Sequence, residues 1–321
     1  MISFRETGTG TTVGGSGHVG PRGGQPPVGA RPEWAGGDRR RYRAAVTRTS
    51  TFTRPEPTRG AKDAVAQLSR PGPNAVLRGD LGLVGIPGVV FAPAQGLGLP
   101  AVAFGHDWLQ PATRYTELLR HLASWGFVVA APSSHRGAFA SHARFSADLR
   151  TALDTCAGVR LGDGHISVDS RRMAFAGHGI GGGAALLAAA THPRAAAVVT
   201  LAPAQTKPSA VEAARAITVP TLHVVAGQDT VAPPAGHAEP ITQAAGGPVT
   251  VRTLPKAGHT AFLEGMHWTD LILATSKDGK SRRLATALMT AFLLHHLCDE
   301  DRVDVLVDGK VPGTELLVRA P

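Results

Sequence analysis

Seven short apolar runs separated by helical patterns constrain this chain more than any other feature. The runs are 88–93 (GVVFAP), 100–105 (PAVAFG), 126–132 (GFVVAAP), 171–176 (RRMAFA), 196–202 (AAVVTLA), 220–226 (PTLHVVA) and 249–254 (VTVRTL). Most lack the alternation of a half-solvated strand, which predicts strands buried on both faces. Helical patterns are predicted between them at 115–125, 141–157, 180–190, 236–245 and 282–297, with Leu118, Leu119 and Leu122 forming one apolar stripe on the first. Strands alternating with helices imply right-handed crossovers and a mostly parallel central sheet with helices on both faces, an α/β fold. Sites in such sheets form at the carboxyl ends of the strands.

The residues that follow those ends are Gly105-His106-Asp107-Trp108, Ser133-Ser134-His135, Gly177-His178-Gly179-Ile180, Pro203-Ala204-Gln205, Gly227-Gln228-Asp229 and Gly258-His259. Nearly every loop at that edge is polar or glycine-rich. No internal repeat or interdomain linker interrupts the chain after residue 80, so residues 76–321 are expected to form a single domain.

Composition sets the N-terminal segment apart. Residues 1–75 hold 12 Lys/Arg against 5 Asp/Glu, +7 of the chain's net +9, together with 13 Gly and 8 Pro. With few apolar runs, such a segment has little burial to offset the entropy of ordering, and disorder is expected over 1–75. Its Arg39–Arg43 cluster offers charge to nucleic acid or an anionic membrane, but a short basic run on a tail is ordinarily solvated, and no specific nucleic-acid partner is expected.

No apolar stretch and cleavage site follow the basic cluster, so no secretory signal is expected. The most apolar helical segment, 284–297, is too short to span a bilayer, and cytoplasmic residence is the expectation. Cys156 and Cys298 imply no disulfide framework.

The segment Met173–Leu186, MAFAGHGIGGGAAL, fits two templates. Its glycines spell G-x-G-x-x-G, the loop that cradles a dinucleotide pyrophosphate, but that reading needs an acidic residue about 20 positions later. The chain reads TLAPAQ over 200–205, without a carboxylate, and four strands already precede the motif. The other template is the G-x-S-x-G nucleophile elbow, with Gly179 where serine belongs. That fold carries its acid and then its histidine in later loops after strands. Asp229 follows TLHVVA and His259 follows VTVRTL, so chain order and placement both hold.

From Pro100 to His259 the chain resembles the bacterial polyester-hydrolase branch of the α/β hydrolases, the cutinases that cleave poly(ethylene terephthalate), and more loosely the dienelactone hydrolases and chlorophyllases. The segments VPTLHVVAGQDTVAPPAGHAEP, HLASWGFVVAAP and AGHGIGGGAAL carry the resemblance. It implies the α/β-hydrolase fold, Asp229 as acid, His259 as base and Gly179 at the nucleophile position. It also implies an oxyanion hole from the backbone N–H groups of Ile180 and Trp108, and no cofactor. Ala204 stands where the family has a substrate-stacking tryptophan, and the chain from Leu271 to Pro321 matches poorly.

Glycine at position 179 closes the covalent route through an acyl-serine. Activity is therefore expected to be impaired or lost, leaving a fold that binds a small ester or acyl-type molecule, a pseudoenzyme of the carboxylic ester hydrolase class. The alternative is a working ester hydrolase in which His259, oriented by Asp229, activates a water in the space the serine vacates. Ser133 and Ser134 are on a separate loop and are expected to make local hydrogen bonds. His106, His135 and His178 lack metal-ligand spacing, the adjacent His295 and His296 face different directions, and no metal is expected.

Overall fold

The computed structural model describes residues 4–6, 54–265 and 278–320. Among these, ten strands form one sheet: β1 (Phe4–Glu6), β2 (Val76–Asp80), β3 (Gly88–Pro93), β4 (Gly96–Gly105), β5 (Val128–Pro132), β6 (Ile166–His178), β7 (Ala195–Leu201), β8 (Thr221–Ala226), β9 (Val249–Leu254) and β10 (Glu315–Arg319). Their spatial order is β1-β2-β3-β5-β4-β6-β7-β8-β9-β10. The six from β4 to β9 run parallel, and β1, β2, β3 and β10 are added at the two edges through antiparallel pairings. This is the expected α/β-hydrolase arrangement, with its seven predicted strands at β3 to β9.

Helices cover both faces. They are α1 (Ala61–Leu68), α2 (Thr116–Ser124), α3 (His142–Gly158), α4 (Ile180–Thr191), α5 (Ala210–Ala216), α6 (Ala238–Ala244), α7 (Gly279–Cys298) and the short α8 (Asp304–Val307). Period-two alternation divides each strand between two cores. Val102 and Phe104 of β4 join Leu68, Leu119, Leu122 and Phe292 on the face covered by α1, α2 and α7. Ala101 and Ala103 join Leu149, Leu153, Leu186 and Ala213 beneath α3, α4 and α5.

The chain after β4 crosses to β5 on one side of it, whereas β6 to β9 proceed outward on the other. Beyond β4 and β6 the connections therefore diverge, which opens a crevice at their carboxyl ends. Gly105 and Gly177 are paired in register at those ends. Asp107 and Gly179, each two residues further on, meet in that crevice.

Order extends further toward the N-terminus than composition indicates. Residues 54–75 are described, and α1 buries Ala64 and Leu68 one helical turn apart. That short stripe is hidden in a Gly/Pro-rich context. The strand Phe4–Glu6 also pairs with β2. The Arg39–Arg43 cluster lies outside the described residues.

Candidate active site

The turn from β6 into α4 has the geometry of a nucleophile elbow. Gly179 has φ 53° and ψ −120°, a conformation that glycine adopts readily and that costs other residues about 1–3 kcal/mol. Its N–H donates to the Leu201 carbonyl at 3.0 Å, and its carbonyl accepts from the Ala204 N–H at 2.9 Å, which fixes the turn against β7. The glycines beside it serve packing: a Cβ on Gly181 would overlap the backbone of Gly105 and His106, so only glycine lets α4 sit this close to β4.

The loop after β8 places Asp229, whose Oδ1 accepts the N–H groups of Val231 at 2.9 Å and Ala232 at 2.8 Å. That leaves Oδ2 to accept from His259 Nδ1 at 2.7 Å. His259 starts a short 3₁₀ turn after β9, and Gln228 N–H donating to the Ala257 carbonyl at 2.8 Å ties the two loops together. The acid and the histidine are thus within hydrogen-bond reach, and their side chains are almost wholly buried.

The fourth participant is Asp107, from the loop after β4. Its Oδ2 is 2.9 Å from His259 Nε2, and its Oδ1 accepts the Ile180 N–H at 2.9 Å. A Cβ built on Gly179 would overlap Asp107 Oδ1 and Cγ. The carboxylate therefore occupies the volume of an elbow side chain and also holds the N–H expected to serve an oxyanion. From this loop the sequence predicts the backbone N–H of Trp108 as a second oxyanion donor. The Trp108 indole is 45% exposed, with Nε1 donating to the Ala138 carbonyl at 3.4 Å, and the side chain that this loop brings to the site is that of Asp107.

The loop is held from below. Tyr115 OH accepts the Asp107 N–H at 3.1 Å and is 2.9 Å from His178 Nδ1, while His178 Nε2 is 3.0 Å from the His259 carbonyl. A carbonyl only accepts, so His178 carries its proton on Nε2 and Nδ1 accepts from the tyrosine. Burial, the largest influence on His178, pushes its pKa down to about 4, in keeping with this neutral tautomer.

Charge follows from the same contacts. Burial disfavours the imidazolium of His259, but the Asp107 charge and hydrogen bond, reinforced by Asp229, outweigh it and raise the pKa to about 10. Burial likewise favours neutral Asp107, and the charge and hydrogen bond of His259 outweigh that, holding the carboxyl well below the usual carboxylate range. His259 thus sits between two carboxyl groups, with Asp107 favouring its protonated form and the positive end of α4 aimed at Asp107.

Ligand-capable atoms of Asp107, His178 and His259 lie within 4.8 Å of one another, a convergence across three loops that linear spacing does not reveal. Both ring nitrogens of each histidine are hydrogen-bonded. Ser134 Oγ is likewise engaged, donating to Asp148 Oδ2 of α3 at 2.5 Å. A cavity of about 510 Å³, lined by Leu118, His121, Phe262, Glu264 and Arg282 among others, includes none of Asp107, Gly179, Asp229 and His259.

Comparison with known proteins agrees with the fold. The PET hydrolase-like family profile matches residues 55–249, more than half of the chain. The chain is 29% identical over 177 residues to cutinase est1 of Thermobifida alba, covering 55% of each protein. It is 34% identical over 176 residues to the bis(hydroxyethyl) terephthalate hydrolase of Streptomyces coelicolor, covering 55% of this chain and 47% of that one. Cutinase 1 of Thermobifida cellulosilytica is 28% identical over 177 residues, covering 55% and 62%. The chain thus spans about half the length of the curated relatives it matches. Among the described residues, no helix is long and apolar enough to cross a membrane. The profile ends ten residues before His259, whose place beside Asp229 rests on the geometry above. With its parallel sheet, its elbow at the β6–α4 turn and a match over most of that framework, this chain belongs to the PET hydrolase-like family of α/β hydrolases.

Proposed function

We propose that this chain is a carboxylic ester hydrolase by descent in which the serine-esterase route is closed and a carboxylate fills the space of the nucleophile. The observation that carries this reading is the seat of Asp107, with one oxygen on the Ile180 N–H and the other on His259 Nε2. In this reading Asp229 and His259 are the acid and base of the ancestral triad, Gly179 is the nucleophile position and Ile180 supplies an oxyanion donor. Losing the nucleophile of such a triad costs about 10⁶ in turnover, which leaves activity impaired or lost.

Hydrolysis through a water activated by His259 ranks second. It needs a neutral imidazole beside an open space. Here the Asp107 charge and hydrogen bond favour the imidazolium, raising its pKa to about 10, and Asp107 takes up the space. A small ester or acyl-type molecule fits as a ligand if its carbonyl oxygen displaces Asp107 Oδ1 from the Ile180 N–H.

The test is hydrolysis of p-nitrophenyl acetate and butyrate by the purified chain beside His259→Ala. Turnover at the buffer rate in both supports the silenced reading. Turnover by the parent that disappears in His259→Ala establishes the water route instead.

A further inference from the structure

The position of Asp107 has a chemical consequence beyond silencing. From it we infer that Asp107 is itself a nucleophile, directed at an unhindered sp³ carbon bearing a leaving group, such as a primary alkyl halide. This goes beyond the loss of serine-esterase activity and is read out separately from it.

Carboxylates are competent covalent catalysts when they are ionised, placed and reachable. Asp107 is fixed by the Ile180 N–H and His259, which also favour its carboxylate form, and its side chain is 9% exposed against 2% for His259 and 1% for Asp229. Of these three side chains, the one at the nucleophile position is also the most open to solvent. Trp108, Phe139 and Val231, on the loops after β4, β5 and β8, leave apolar surface at the same edge of the sheet. An acyl carbon would give a mixed anhydride with Asp107, whereas a saturated carbon gives a simple ester that this site is arranged to hydrolyse.

In the first step Asp107 Oδ2 forms a bond to the carbon, and the bond to the leaving group breaks with its electron pair, giving an alkyl ester of Asp107 and free halide. Oδ1 becomes the ester carbonyl oxygen and already lies 2.9 Å from the Ile180 N–H, within the 2.7–3.1 Å range of an oxyanion donor. Esterification removes the negative charge that keeps His259 protonated. With burial then opposed by Asp229 alone, His259 releases its proton to solvent and becomes a base. In the second step His259 takes a proton from water as the hydroxide adds to Asp107 Cγ. The oxyanion on Oδ1 collapses, the bond to the alkoxide breaks, and His259 returns the proton to give the alcohol. Asp107 then gives its acidic proton to His259, restoring the resting pair. The net change is alkyl halide plus water to alcohol, halide and a proton. No redox partner or cofactor is needed.

The experiment uses the full chain with 1-bromopropane, 1-bromobutane and 1-bromohexane. Bromide release is expected from the parent and its loss to the buffer rate from Asp107→Asn. His259→Gln keeps Asp107 in place but removes the base, so its intact mass should rise by one alkyl group, mapped by peptide analysis to Asp107. Over several turnovers in ¹⁸O water, label should enter the Asp107 carboxylate of the parent. The inference is overturned by bromide release that survives Asp107→Asn, by an adduct elsewhere, by label only in the alcohol, or by no release and no adduct with any of the three probes.

Discussion

The carboxylate of Asp107 and the missing side chain of position 179 compete for one volume. A Cβ on Gly179 would overlap Oδ1 and Cγ of Asp107 and lie 3.0 Å from Oδ2. The two positions are therefore coupled, and neither can be read alone. Gly179→Ser should destabilise the fold, because the residue must accept φ 53° at a cost of about 1–3 kcal/mol and also expel Asp107. Asp107→Ala should relieve the second cost. Chemical denaturation of the parent, both single variants and the double variant should give a coupling of about 0.5–3 kcal/mol in that sense, and strict additivity would contradict the overlap.

His259 should leave its mark on the pH dependence of stability. Its folded pKa, about 10, lies above the ordinary value of 6.5, so the native state binds the proton more tightly than the unfolded chain. Its contribution is fully present below about pH 6.5 and is lost as pH rises through about 10, with a slope of at most about 1.4 kcal/mol per pH unit. Asp107 has the opposite sign, contributing above its ordinary carboxylate pKa of 3.8 and losing that contribution only in strong acid. Thermal midpoints of the parent should fall between pH 6.5 and 10, and those of His259→Gln should fall much less over that window.

The same clamp predicts a direct titration signature. Following the His259 ring protons by NMR should show no deprotonation at neutral pH and a transition near 10. In Asp107→Asn the leading cause of the elevation is gone, so the transition should drop by several pH units. An unchanged transition would mean that Asp229 alone holds the proton.

Tyr115 is the support beneath the site. Tyr115→Phe leaves the Asp107 N–H and His178 Nδ1 without the hydroxyl that serves both, in a fully buried place. Each orphaned group costs about 1–3 kcal/mol, so the unfolding free energy should fall by that order or somewhat more, without loss of secondary structure by circular dichroism.

Much of this was legible in the chain because burial on both faces writes itself into composition. Runs such as GVVFAP and VTVRTL coincide with β3 and β9. The elements that escaped are those with weak apolar signals. All five residues of β10 are exposed, α1 offers two buried side chains in a Gly/Pro-rich setting, and α5 is a seven-residue alanine-rich helix. The sequence points to Asp229 and His259 because each lies in a loop after a buried strand in triad order, and the fold brings the two within hydrogen-bond reach. Asp107 follows one too, and the only other signal was the absence of a side chain at Gly179. Reading the two together requires knowing that β4 and β6 are neighbours, and that pairing is a property of the sheet, not of either segment. Trp108, singled out from the same loop for its backbone N–H, turns its indole to solvent, so nothing in that side chain signals its neighbour's place.

The central claim, that Asp107 has taken the nucleophile's place on an otherwise intact elbow, is tested most directly by rebuilding the nucleophile. The measurement is p-nitrophenyl butyrate hydrolysis by Gly179→Ser beside Gly179→Ser/Asp107→Ala. The account predicts that the single variant stays near the parent, and that the double variant, with space for the hydroxyl against His259 and a free Ile180 N–H, gains several orders of magnitude toward the roughly 10⁶ a triad nucleophile is worth. Full activity in the single variant, or none in a folded double variant, would contradict it.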